Sequence, residues 1–134
     1  MSRRYLLVLL AGLAALDVVP ATAAADPYQI VVLQALDKVA ARVSKLEVPV
    51  GQTVNFGSLE ITARACDKRP PEEPPESAAF LEIVEKRPDE APAMQFDGWM
   101  FASSPALSAM EHPVYDVWVL DCKNPSTTSS DIAP

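Results

Sequence analysis

The stretch from Phe96 to Cys122, FDGWMFASSPALSAMEHPVYDVWVLDC, holds five of the nine aromatic side chains, Phe96, Trp99, Phe101, Tyr115 and Trp118, and ends on one of two cysteines. Aromatic rings bury the most area per residue, so this stretch is expected to form the centre on which a small chain packs. It reads as a strand from Gln95 to Ala102, a connection from Ser103 to Pro113, and a second strand from Val114 to Cys122. Ser104-Pro105 resembles a helix start, with serine as N-cap and proline at the first helical position. Pro113 forbids continuation, so only one short helix fits there.

Working outward, Ala79–Val84 (AFLEIV) alternates and predicts a strand. Leu59–Cys66 (LEITARAC) has the cleanest two-residue period in the chain. There Leu59, Ile61, Ala63 and Ala65 are expected on one face and Glu60, Thr62, Arg64 and Cys66 on the other. The proline-rich segments Asp67–Ser77 and Lys86–Ala93 read as exposed extended connectors. Pro49 and Gly51 mark one turn, Asn55 and Gly57 another. Val39, Ala41 and Val43 alternate with charged or polar neighbours, which predicts a half-buried strand. Tyr28–Leu36 is apolar without a clear period and fits either a strand or a helix. With no amphipathic helix and no internal repeat, the expected fold is all-β. It is an antiparallel sandwich or small barrel of about five to seven short strands with at most one short helix and one disulfide.

The chain opens MSRRYLLVLLAGLAALDVVPATAAAD, two arginines followed by an apolar run and small residues, the pattern of a secretory signal peptide. Asp17 and Pro20 end the run short of the roughly 18 residues a membrane span needs. Cleavage is expected after Ala23 or Ala25. Residues 1–25 are then the signal peptide, 26–123 a single β-domain, and 124–134 a disordered polar tail. The expected localisation is the periplasm, with no transmembrane segment after processing. Without Arg3, Arg4 and Asp17, 9 basic and 17 acidic residues remain, a formal charge of −8. Such a surface repels phosphate backbones and anionic lipid, so nucleic acid is not an expected partner. In an oxidising compartment the two cysteines, Cys66 and Cys122, are expected to be bonded to each other.

Glu111, His112 and Asp116 are the one cluster that invites a chemical reading. Alternation with Trp118, Leu120 and Cys122 places Asp116 on an apolar face, where a carboxylate needs a partner. Arg64, His112 or backbone donors are the candidates, which makes Asp116 structural, while His112 is expected to be partly exposed and dispensable for stability. Ser103 or Ser104 with His112 and Asp116 would make a hydrolase triad, but no G-x-S-x-G elbow supports it. Glu111 and Asp116 would make a glycosidase pair only at a suitable carboxyl separation. A single histidine leaves a metal site without ligands, and the absence of C-x-x-C, C-x-x-C-H and phosphate-loop motifs leaves no cofactor to expect.

The runs GWMFASSPALSAMEHPVYDVW (98–118), VPVGQTVNFGSLEI (48–61) and ACDKRPP (65–71), with Cys122, resemble an uncharacterised family of small secreted alphaproteobacterial proteins, domain-of-unknown-function family 2155. The resemblance runs from about Leu36 to Cys122. It implies a Gram-negative envelope setting and a shared two-cysteine pattern, and it carries over no activity and no catalytic residue. The reading that results is a periplasmic, non-enzymatic binding protein whose partner is an unknown envelope protein or ligand. Its contact surface is expected over Ser103–Pro113 and the flanking Trp99, Phe101, His112, Tyr115 and Trp118. The alternative is an envelope hydrolase or carbohydrate-active enzyme centred on Glu111, His112 and Asp116.

Overall fold

From Leu59 to Ala63 every second side chain is fully buried and the residues between are half-buried, the period of a strand with one face on a core. The computed structural model describes residues 26–126, and eight strands run through them. They are β1 (Asp26–Pro27), β2 (Ile30–Asp37), β3 (Arg42–Pro49), β4 (Thr53–Phe56), β5 (Leu59–Lys68), β6 (Ser77–Glu85), β7 (Ala93–Phe101) and β8 (Tyr115–Lys123). One 3-10 turn, Pro105–Ser108, lies between β7 and β8. Ser104 precedes it without making a side-chain cap. The expected signal peptide, and the expected tail from residue 127 onward, lie outside the described residues.

All pairings are antiparallel and form two sheets. One has the order β1-β5-β6-β7, with β4 also on β5, and the other is β3-β2-β8. Among the described residues the chain changes sheet three times, twice at one corner, between β1 and β2 and between β3 and β4. There Tyr28 N–H donates to the Cys66 carbonyl at 2.7 Å and Gly51 N–H to the Ala63 carbonyl at 2.7 Å. Gly51 sits at φ +87°, where a side chain would be strained. On the opposite side β7 and β8 are joined by no ladder, so the two layers form a sandwich and not a closed barrel.

The core between the layers is aliphatic. Val31, Leu33 and Ala35 of β2 face Leu59, Ile61 and Ala63 of β5 and Ala79, Leu81 and Ile83 of β6, with Val117 and Val119 of β8 beside them. The expectation of an aromatic centre is therefore corrected. Trp99 and Phe101 are each 38% exposed, and Phe56, Phe96 and Tyr115 pack only around the margin. Two inner faces about 10 Å apart are filled by branched aliphatic side chains, and β7 turns Trp99 and Phe101 outward while Phe96, opposite Ile83, packs against the core margin.

Two β-bulges overturn the expected faces. In β5 Ala63 pairs with Leu81 and Ala65 with Phe80, so Arg64 is the extra residue. Beyond it the alternation changes side, and Cys66 joins the core it was expected to face away from. In β8 Val119 pairs with Leu33 and Asp121 with Val32, leaving Leu120 as the extra residue. Cys122 is consequently buried with Val117 and Val119, and Asp116 lies on the outer face. The expected disulfide between Cys66 and Cys122 is present, with Cα atoms 5.8 Å apart, and it ties the two layers together. The strand expected at Val39–Ser44 begins later and faces the other way. Asp37 Oδ1 accepts the N–H groups of Val39 and Ala40, both at 3.0 Å, and makes a turn of residues 38–41. Val39 is 80% exposed, while Val48 faces the core.

Candidate functional site

The segment entering β8 bends so that His112, just before Pro113, turns its ring inward. The side chain is only 2% exposed, a correction to the partly exposed histidine expected above. Its Nδ1 accepts the backbone N–H groups of Val114 (3.0 Å) and Tyr115 (3.1 Å). An amide N–H can only donate, so the ring proton resides on Nε2, which donates to Glu85 Oε2 at 2.9 Å. The Tyr115 ring lies over the imidazole with centroids 5.2 Å apart, and Phe56 meets Tyr115 edge-on at 5.5 Å.

Glu85, the last residue of β6, is the anchor of this cluster. Its Oε1 accepts Ser58 Oγ (3.0 Å) and Arg87 Nε (2.7 Å), and its Oε2 accepts Gln95 Nε2 (3.2 Å) besides His112. The His112 hydrogen bond, then those from Arg87 and Ser58, hold the carboxylate well below the usual range, at about 2, against the opposing effect of burial. Glu85 was missed in the sequence because the strand was ended at Val84. The signal was present, since Glu85 continues the inward alternation of Ala79, Leu81 and Ile83.

Glu111, His112 and Asp116 do not converge. His112 points inward to Glu85, Glu111 is exposed, and Asp116 is half-buried and pairs with Lys38 at 3.1 Å. Lys38 Nζ also donates to the His112 carbonyl at 2.8 Å. The expected Asp116 partners are therefore corrected to Lys38, while Arg64 binds Glu82 at 2.8 Å. An open cleft of about 460 Å³ is lined by Lys38, Met110, Glu111, His112, Pro113 and Asp116. In this arrangement neither imidazole nitrogen has a free lone pair with which to take a proton from a bound molecule. Ser103 is elsewhere: its N–H and Oγ both bond Glu76, before the start of β6, whereas His112 bonds Glu85 at its end. Glu76 and Glu85 are nine residues apart, roughly 30 Å in an extended strand. Among the described residues no group of three His, Cys, Asp or Glu is placed to hold a metal ion. No described helix is long and apolar enough to cross a membrane.

The side chains expected to bind a partner fall in three places. His112 is buried, with the half-buried Tyr115 against it at the margin of the core. Trp118 lies opposite Gln34 in the three-stranded sheet, on its outer face. Trp99 and Phe101 are together on the outer face of the five-stranded sheet, with Phe80 edge-on to Trp99 at 5.6 Å. Beside them opens a cleft of about 320 Å³ lined by Asp67, Arg69, Glu76, Ala78, Trp99 and Phe101.

Residues 31–122, from the first buried valine of β2 to the disulfide cysteine of β8, match a family described as an uncharacterised protein conserved in bacteria, DUF2155. The chain is also 33% identical over 88 residues to the uncharacterised protein RP359 of Rickettsia prowazekii (strain Madrid E). That match covers 66% of this chain and 57% of the relative, so it spans little more than half the relative's length. No solved structure matches.

Proposed function

We propose that this chain, which belongs to the DUF2155 family of bacterial proteins, is a non-enzymatic binding domain of the periplasm that contacts an envelope partner through the outer face of its five-stranded sheet. The observation that carries the reading is the pair Trp99 and Phe101, large rings left 38% exposed beside a cleft with charged walls. Aromatic side chains are enriched at the centres of binding surfaces because they offer much area at little entropic cost. The signal-peptide pattern of residues 1–25 and the inter-sheet disulfide support a compartment outside the cytoplasm. The enzyme alternative draws no support from Glu111, His112 and Asp116, whose side chains diverge.

A photo-activatable side chain placed at Phe101, or for comparison at Val43 on the far sheet, tests this in living cells. A discrete adduct is expected from position 101, absent from position 43 and abolished by Trp99→Ser. Equal labelling from both positions, or an adduct indifferent to Trp99→Ser, would sink the proposal. Glu111→Gln and Asp116→Asn are expected to leave the adduct unchanged.

A further inference from the structure

The edge of β7 that pairs with no further strand runs alongside the Trp99–Phe101 surface, with the 3-10 turn Pro105–Ser108 packed against the strand. Ala102 N–H donates to the Ser77 carbonyl at 2.8 Å, which fixes the phase of the ladder between β6 and β7. Counting back along the register, Met100, Gly98 and Phe96 exchange their backbone bonds with Ala79, Leu81 and Ile83. Asp97, Trp99 and Phe101 therefore turn their N–H and C=O groups away from the sheet. Among the described residues only the Phe101 carbonyl has a backbone partner there, Ser104 N–H at 3.3 Å.

Open edges invite pairing, and natural sheets blunt them with lysine, proline, bulges or short length. The other edges of this fold carry such devices. β1 and β4 have two and four residues, the edge strand β3 contains Arg42, Lys45 and Pro49, and β8, the other edge of the three-stranded sheet, is broken by the Leu120 bulge and ends on Lys123. From Phe96 to Phe101, past the irregularity opposite Ile83 and Val84, β7 has no proline, no basic residue and no bulge. Its outward side chains are one carboxylate and two exposed rings. Asp97 and Asp67 form no ion pair among the described residues; Asp67 shares its cleft with Glu76 and the single cation Arg69, and Asp97 lies beside Glu82 of the Arg64–Glu82 pair.

From this we infer that β7 is a docking edge for an extended segment of another protein that alternates basic and apolar residues and adds to the sheet as a further strand. The inference rests on the binding surface proposed above and names its mode and chemistry. Backbone bonds to Asp97, Trp99 and Phe101 N–H supply the register. Lysine or arginine side chains on the exposed face meet the Trp99 and Phe101 rings and the carboxylate of Asp97. A second copy of this chain is disfavoured as occupant, because it brings the same uncompensated carboxylates.

The test uses the processed, oxidised protein with two acetylated and amidated octapeptides, one alternating lysine and valine, the other glutamate and valine. Amide hydrogen exchange followed by NMR is the readout. The basic peptide is expected to bind about tenfold or more tightly than the acidic one, and to slow exchange at Asp97, Trp99 and Phe101 while leaving the already bonded Gly98 and Met100 unchanged. Asp97→Pro deletes an outward N–H that no strand of this fold uses, so it should remain folded and lose binding. Asp97→Asn keeps the N–H and should lose only part of the preference for the basic peptide. Equal affinity for both peptides, unchanged exchange at the three amides, or binding unaffected by Asp97→Pro would each overturn the inference. Protection of those amides that rises with protein concentration alone would assign the edge to a second copy and overturn it too. Because the crosslink from position 101 is indifferent to backbone pairing, it would survive failure of the strand mode and separates that failure from loss of the surface itself.

Discussion

At the scale of single residues, His112 works as a fastener. Its ring satisfies two backbone amides at the start of β8 on one side and the Glu85 carboxylate at the end of β6 on the other. In His112→Ala the part-buried Val114 and Tyr115 amides lose their acceptor. An unsatisfied buried donor costs about 1–3 kcal/mol, so chemical denaturation should find a loss of that order or more. Asp116→Ala removes one half-exposed ion pair and should cost at most about 1 kcal/mol. Glu85 makes the fold acid-sensitive in a definite window. Its carboxyl is lowered from 4.5 to about 2 in the folded chain, so the stabilisation it brings is complete above pH 4.5 and is lost as pH falls towards 2. Urea titrations across that range should show the stability advantage of the wild type over Glu85→Gln shrinking as the pH drops; an advantage that is flat with pH would contradict the assignment. Gly57, at φ +57°, lies under the Tyr115 hydroxyl with no room for a Cβ. Gly57→Ala should therefore displace the Tyr115 ring from Phe56 and His112, visible as a change in near-ultraviolet circular dichroism together with a lower melting temperature.

Among the elements, β5 and β8 are joined by the disulfide, and each reaches it by the same device. One extra residue, Arg64 in one strand and Leu120 in the other, reverses the alternation so that Cys66 and Cys122 come to the inner faces. Cross-linking residues 56 apart restricts the unfolded chain and should stabilise the fold by about 4 kcal/mol on the chain-entropy account. Replacing both cysteines by alanine, which adds no buried hydroxyl, should lower stability by an amount of that order and raise the denaturant m-value, because the unlinked chain exposes more surface when it unfolds. An unchanged m-value and midpoint would show that the link constrains nothing. These strands were legible because β5 and β6 have a clean two-residue period bounded by Gly57 and by prolines. β3 was misread: Val39, Ala41 and Val43 alternate as a strand does, but Asp37 ties its own carboxylate to the next turn, and only the partners in β2 set which face is inner.

For the molecule as a whole, the acidic charge and the apolar amino-terminal run bear on where it works. The processed chain should begin after Ala23 or Ala25 and be released by osmotic shock, with intact mass as the check; an uncleaved precursor held in the membrane fraction would contradict the periplasmic proposal. By itself the sequence determined the all-β class, the extents of β5 to β8 to within a few residues, the turns at Gly51 and Gly57 and the bonding of Cys66 to Cys122. Period, turn chemistry and cysteine number are local or compositional properties that a chain carries before it folds. Only the tertiary structure decided that the core is aliphatic, that Asp116 faces Lys38 and that His112 is sealed against Glu85. A bulge is a mismatch between two strands and has no reliable mark in either one, yet a single extra residue moves every later side chain to the opposite face. His112 and Glu85 are 27 residues apart, and their contact exists only because the sandwich lays the entry to β8 across the end of β6.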